Sequence, residues 1–396
     1  MTWGPDPWAG AVFAATFLLL AAGRVGHLPL PRGATALAGG LLTALLYGLT
    51  WRVVDWDVIA LLAGLMVLAA LAEAAGLFAG VRRRLARHAP AMALWLAVLL
   101  VAATSALLLN DAAIVVLVPF LIPALRAQGL PLPSSVALLA VASNVGSLLT
   151  PFGNPQNAAL AQHAGLGVLD FLRVQGPIAL LGLAVLGGAA WVLGRKAVPR
   201  PEDIAPVVPH GRRRVASCTA LFLVLATSGV LSFGLAALAG AGLAYVTLRA
   251  NGGRAIDRAA WRGLDWNVLL LFVGLYALTA GLPRWFPVDR IPLARLGLAP
   301  AAGLTIALSN VVGNVPAMLA FIRLDPAWTA LHAPFLVAVS TLGGALFLTG
   351  SAAALLAADQ ARRHGVDVRF WPFARVALCV LPVLALAALL TWGAAP

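Results

Sequence analysis

The sequence predicts an all-α polytopic membrane protein built from two inverted repeats. Each repeat is expected to hold five transmembrane helices, one re-entrant hairpin and one discontinuous helix. Three observations predict it. The 396 residues are 62% hydrophobic and 10% charged, with a mean hydropathy of +0.95, where a soluble domain carries about 25% charged residues. The apolar runs form a ladder of bilayer length, and several are broken by Gly, Pro and Asn. The two halves of the chain also repeat one another.

The first run, "WAGAVFAATFLLLAAG", lacks a basic leading segment, so it reads as a retained helix and not a cleaved signal. Further crossings are expected near 34–50, 57–80, 134–163, 174–193, 215–232, 234–249, 264–282, 333–357 and 374–393. Two other apolar stretches, 90–125 and 299–322, are interrupted by "LLLNDAA" and "VVGNVPA". Read as hairpins that turn back inside the bilayer, they leave ten crossings. Charge tests that topology. With both termini extracytoplasmic, all 27 Lys and Arg fall on the inside except Arg52, Arg173, Arg284, Arg290, Arg295 and Arg323, as the positive-inside rule requires. The net charge of +13 is thereby a topology signal facing anionic lipid, and nucleic acid is not a partner. Cys218 and Cys379 sit in apolar runs and suggest neither a metal site nor a disulfide.

The repeat is visible in three stretches. "VDWDVIALLAGLMVLAA" (54–70) pairs with "LDWNVLLLFVGLYALTA" (264–280). "ATSALLLNDAAI" (103–114) pairs with "ALSNVVGNVPAM" (307–318), and "SNVGSLLTPFGN" (143–154) with "STLGGALFLTGS" (340–351). The order is kept at nearly constant offset. Residues 1–193 form the first repeat, 194–214 a Pro- and Arg-rich cytoplasmic linker, and 215–396 the second. Five crossings is an odd number, so the second repeat is inserted upside down.

Inverted repeats with discontinuous helices mark secondary transporters, whose sites lie near the midplane. Broken backbone in hydrocarbon costs several kcal/mol per unsatisfied group, so it is kept where protein or a watery cavity surrounds it. In "LLTPFGNPQNAALA", Asn154 is expected to cap a half-helix starting at Pro155. Ser351 takes the same place in "TGSAAALLA", and Asn110 and Asn314 precede the second arms of the hairpins. Four half-helix N-termini would then converge, a setting that suits an anion, while unwound carbonyls suit a cation. Candidate substrate-binding residues are Asn110, Asn154, Asn157, Asn314, Ser351, Thr150 and Thr349. Candidate coupling-ion residues are Asp111, Ser105, Gly153, Ser309 and Gly350. Asp111 is the sharpest of these, because an acid near the midplane costs about 2.5–3.5 kcal/mol on insertion scales; it would carry a proton or coordinate a cation. Its repeat partner is Val315. Glu73 lies nearer the cytoplasmic end, and Asp55 and Asp265 read as helix-start anchors.

"SALLLNDAAIVVLVP", "SNVGSLLTPFGNPQN", "ALSNVVGNVPAML" and "GGALFLTGSAAALLAA" together resemble the ion transporter superfamily. That group holds divalent anion/sodium symporters, citrate transporters, arsenite permeases and sodium/proton antiporters, along with bacterial inner-membrane permeases. The resemblance covers nearly the whole chain. It implies an elevator mechanism, a homodimer, a bacterial inner-membrane location and a site between two hairpin tips and two unwound helices. Sodium-coupled dicarboxylate members look like Ser-x-x-x-Ser-Asn-Thr at each tip. Here Ser105, Ser309, Asn110 and Asn314 match, while Leu109, Gly313, Asp111 and Val315 depart. "Asn110-Asp111-Ala112" looks more like the Asn-Asp-Gly of arsenite permeases.

The function expected is secondary transport of a small carboxylate, inorganic anion or neutral oxyacid, coupled to H⁺ or Na⁺, with no other cofactor. Cation/proton antiport without an anion, a channel, and a membrane-embedded enzyme are the alternatives. Enzyme motifs such as H-E-x-x-H, G-x-S-x-G and Walker A are absent from the sequence, so an enzyme is not expected.

Overall fold

The computed structural model describes residues 6–22, 24–25, 28–77, 81–199, 212–285, 293–348 and 350–392. Among the described residues the regular elements are all helical except for a two-residue antiparallel ladder, Arg24–Val25 with Leu28–Pro29. Among the described residues, seven helices are long and apolar enough to cross a membrane, and shorter apolar helices of 10–17 residues accompany them. Helices stand where crossings were expected at Pro7–Ala22, Arg32–Tyr47, Trp56–Ala74, Val168–Gly194, Arg212–Ser228 and Trp266–Thr279. Two of the seven long apolar helices, Pro90–Leu108 and Asn110–Ala127, fall instead in the stretch expected to turn back inside the bilayer. Phe233–Gly263 overruns its expected end and kinks at Gly253. The last crossing is divided into Phe370–Ala377, a short 3₁₀ turn and Leu381–Trp392. Most of the linker, residues 200–211, lies outside the described residues.

The helix starts follow local chemistry. Asp55 is the N-cap of Trp56–Ala74 and accepts from the N–H groups of Asp57 (3.1 Å) and Val58 (3.2 Å). Asp265 caps Trp266–Thr279 through Val268 N–H at 3.2 Å. Burial pushes the Asp55 carboxyl above its ordinary range, while its two N–H partners pull the other way. Asp55→Ala is therefore expected to lose about 1 kcal/mol of stability. Asp55→Asn keeps the cap without the charge and should lose little. Chemical unfolding of the two variants, compared with wild type, measures the difference.

Two helix pairs pack closely. Trp56–Ala74 packs along Phe233–Gly263, and Arg32–Tyr47 along Trp266–Thr279. Each contact closes on a glycine. A Cβ on Gly64 would sit 2.6 Å from the Ala237 backbone, and one on Gly274 would strike the Ala36 backbone. Small residues are what let membrane helices approach this closely. Each pair is also pinned at one end. Gly33 N–H donates to Asn267 Oδ1 at 2.7 Å, and Gly234 N–H to Asp57 Oδ1 at 3.0 Å. Asp57 accepts as well from the Ser232 hydroxyl, and its Oδ2 takes Gln162 Nε2 at 2.6 Å.

The hairpins and broken helices pack on one another. Pro90–Leu108 and Asn110–Ala127 are the arms of the first hairpin, and Leu298–Val311 and Asn314–Leu324 those of the second. The broken helices are Leu132–Ser147 with Pro155–Ala164, and Ala333–Gly344 with Ala352–Arg363. The second arm of each hairpin packs on the later half of the other broken helix: Asn110–Ala127 on Ala352–Arg363, and Asn314–Leu324 on Pro155–Ala164. This crossing brings both hairpin tips and both breaks into one neighbourhood.

Candidate functional site

Each hairpin turns within a residue or two. Leu109 alone joins the first pair of arms, at φ 80, and is the only non-glycine with positive φ among the described residues. Val312 and Gly313 (φ 96) join the second pair. The Asn residues do not precede these helices as expected. Asn110 and Asn314 are themselves the first helical residues. Leu109 has no side-chain oxygen to cap with, so Asn110 Oδ1 takes the N–H of Asp111 at 2.8 Å. One orphan donor of the helix start is thereby satisfied from one position further along.

The first break is fastened to the first tip. Asn110 N–H donates to the Gly153 carbonyl at 2.9 Å, and the Thr150 hydroxyl to the Ala106 carbonyl at 2.7 Å. Asn157, a turn into the next half-helix, reaches back with Nδ2 to the carbonyls of Ser147 (2.8 Å) and Thr150 (3.3 Å). Thr150 and the Nδ2 of Asn157 thus hold the unwound backbone in place. The Gly153 carbonyl keeps one lone pair after Asn110 has taken the other. Asn154 stands at the N-cap position with extended backbone, but its side chain caps nothing. The expected capping bond is not made, and its Nδ2 is left without a partner.

The second break is fastened differently. Asn310 Nδ2 donates to the carbonyls of Ile306 (2.9 Å) and Gly343 (3.0 Å). Asn314 packs its amide against Gly344, and Asn310 packs its own against Gly350. Ser351, also at an N-cap position without a capping bond, gives its hydroxyl to Asn144 Oδ1 at 3.2 Å. Gln156 Nε2 donates to Thr341 Oγ1 at 3.0 Å. These last two bonds cross between the broken helices. Thr349 lies outside the described residues.

Asn144, Gln156, Thr341 and Asn310 also bond beside the breaks, and the sequence pattern did not single them out. A signal for two of them was present: Asn144 and Thr341 align in "SNVG" and "STLG". Polar residues at matched positions beside both breaks mark the place where the broken helices meet.

Several buried polar atoms here have no hydrogen-bond partner: Ser105 Oγ, Ser309 Oγ, Asn154 Nδ2, Asn157 Oδ1 and Asn310 Oδ1. Four more, on Gln128, Ser135, Gln175 and Thr329, are well removed in sequence from the tips and breaks. An unpaired buried polar atom costs about 1–3 kcal/mol, and folded proteins carry few. Donors and acceptors left open beside both tips are what a polar solute and a cation would use. Asp111 is 9% exposed. No described residue forms an ion pair with it; the ion pairs are Arg249–Asp257, Arg363–Asp359 and Arg369–Asp367. No group of three or more His, Cys, Asp or Glu gathers among the described residues.

Comparison with known proteins points to transport. Over 342 residues the chain is 30% identical to the inner membrane protein YbiR of Escherichia coli, covering 85% of this chain and 86% of the relative. It is 28% identical over 381 residues to the uncharacterized transporter Rv2685 of Mycobacterium tuberculosis, covering 86% of each. It is 27% identical over 456 residues to the silicon efflux transporter LSI3 of rice, Oryza sativa subsp. japonica, covering 93% of each. The family model described as citrate transporter matches residues 16–331. With its long apolar helices and that match over most of its length, this chain is a multi-pass membrane transporter that belongs to the citrate transporter family.

Proposed function

We propose that the chain is a secondary transporter for a small anion or neutral oxyacid, coupled to H⁺ or Na⁺, that works by an elevator movement. The observation that carries this reading is the cluster of open donors and acceptors where two hairpin tips meet two broken helices. Asn154 Nδ2 and Ser105 and Ser309 Oγ would bind the solute, at the positive ends of the half-helices that begin at Asn110 and Asn314. Asn157 Oδ1, the free lone pair of Gly153 and the Asp111 carboxylate would serve the cation. Lys and Arg are absent from the cluster, so the solute is held by dipoles and by the co-bound cation. The names of relatives, a citrate transporter family and a silicon efflux transporter, fit a carboxylate or an oxyacid.

Paired contacts support an inverted repeat. Gly64 on Ala237 answers Gly274 on Ala36, and Asp57 on Gly234 answers Asn267 on Gly33. In each, the partners have changed places between halves, as a pseudo-twofold axis in the membrane plane requires. The hairpins would be re-entrant and the linker and basic loops cytoplasmic. The body of hairpins and broken helices would move against the body of paired helices, in each protomer of a homodimer in an inner membrane. Cation/proton antiport is the second reading, favoured by the lone buried carboxyl of Asp111.

The test is thermal stability of the purified protein with citrate, succinate, sulfate, arsenite and silicic acid, each with and without Na⁺ and at two pH values. A bound ligand raises stability by RT ln(1 + [L]/Kd), about 2.7 kcal/mol at a hundredfold excess over Kd. A shift lost in Asn154→Ala supports the solute reading. Indifference to every solute, with a response to Na⁺ or pH alone that Asp111→Asn removes, selects the antiporter.

A further inference from the structure

A shallow apolar groove separates the first arm of the first hairpin from Val168–Gly194. Its lining is Ala91, Met92, Trp95, Gly187 and Trp191. Gly187 is the floor, since a Cβ there would rest on the Trp95 ring at 3.4 Å. Met92 and Trp191 are 44% and 64% exposed. On a membrane-spanning helix such a groove faces acyl chains.

The chemistry changes at one end. Gly194 backs onto Ala91, so the two helices touch where the groove stops. Gly187, Trp191 and Arg195 are spaced four apart and share a helix face, and Arg195 N–H still bonds to the Trp191 carbonyl at 3.0 Å. Lys196 follows, and Arg87 and His88 precede Ala91 on the other strand of chain. All four side chains are exposed, and none forms an ion pair among the described residues. No acid occurs in 81–99 or 171–199.

We propose that the groove holds one anionic glycerophospholipid. An acyl chain lies along Gly187 between the indoles of Trp95 and Trp191, and the phosphate sits at Arg195 and Lys196 with Arg87 and His88 beside it. Indoles belong at the level of the headgroups, and a guanidinium fork matches phosphate oxygens. A second copy of the chain is the poorer occupant. It would bring the same basic rim, and five lining residues fall far short of the roughly 20–30 per side of a stable interface.

The full chain, purified with equal amounts of phosphatidylglycerol and phosphatidylcholine, tests this by native mass spectrometry. One phosphatidylglycerol per chain should be retained in preference to phosphatidylcholine. Arg195→Gln with Lys196→Gln should weaken that retention about 25-fold. Gly187→Leu should expel the lipid with the charges intact; if that variant does not fold, Trp191→Ala on the exposed rim replaces it. Arg52→Gln, which does not line the groove, should change nothing. Equal retention of both lipids by wild type overturns the proposal. So does unchanged retention in the charge variant, or a filled groove that alters the number of chains per particle instead of the lipid count.

Discussion

Asp111→Asn is expected to give folded protein that no longer couples transport to a cation. The wild-type carboxyl is buried, without an ion pair among the described residues, one residue into a half-helix. Leaving it ionised costs about 2.5–3.5 kcal/mol on insertion scales, so the neutral amide should fold at least as well. Its backbone role is untouched, because Asn110 Oδ1 bonds to the main-chain N–H and not to the side chain. What disappears is the titratable group at the tips to which the proposed function assigns the cation. Coupling between two bound species commonly changes affinity by about 5–150-fold. In the variant that factor should fall to one. Flux into proteoliposomes, with and without an imposed H⁺ or Na⁺ gradient, measures it. A variant that still follows the gradient as wild type does would remove Asp111 from the coupling site.

Gly146→Val is expected to be the most damaging single change to the fold. A Cβ at Gly146 would strike the backbone of Ala102, on the first arm of the first hairpin. Backbone cannot rotate out of the way as a side chain can. Valine adds two further methyls at a fully enclosed position, so the loss should exceed the about 1–3 kcal/mol usual for overpacking. The matching glycine of the second half, Gly343, meets the side chain of Ile306 at 2.6 Å. That side chain can change rotamer, so Gly343→Val should cost less. Melting of both variants in detergent gives the order; a Gly146→Val protein as stable as Gly343→Val would contradict it.

Much of this was legible in the sequence because membrane segments announce themselves by length, and because breaks need Gly, Pro and Asn. The hairpins, both breaks and the half-helix beginning at Pro155 stand within a few residues of where hydropathy put them. The roles of individual polar residues were less legible. Thr150 and Asn157 read as solute ligands from their place beside a break. In the structure the Thr150 hydroxyl and the Asn157 Nδ2 hold backbone carbonyls. Asn154 read as a cap and makes no capping bond. A polar residue beside a break can serve the protein or the solute, and only the direction of its side chain tells which. The crossed bonds Asn144–Ser351 and Gln156–Thr341 join residues 207 and 185 positions apart; the matched places of Asn144 and Thr341 hint at the meeting, but the pairing itself needs the fold.

The two tips turn on different residues, and that sets how readily each comes undone. Leu109 is held at φ 80 and is 1% exposed, with Asn110 and Thr150 bonded across to their neighbours on either side. A leucine in that region of backbone space costs on the order of 1–3 kcal/mol, and it persists because its surroundings over-determine it. Gly313 takes the same kind of turn without that cost, and Val311 beside it is 76% exposed. Stability inside one molecule is uneven, and segments with few enclosing contacts open first. Backbone amides at 312–315 should therefore exchange with deuterium well ahead of those at 108–111. Two elements that look alike in sequence would then keep time differently, the first as a fixed jaw and the second as the one that yields.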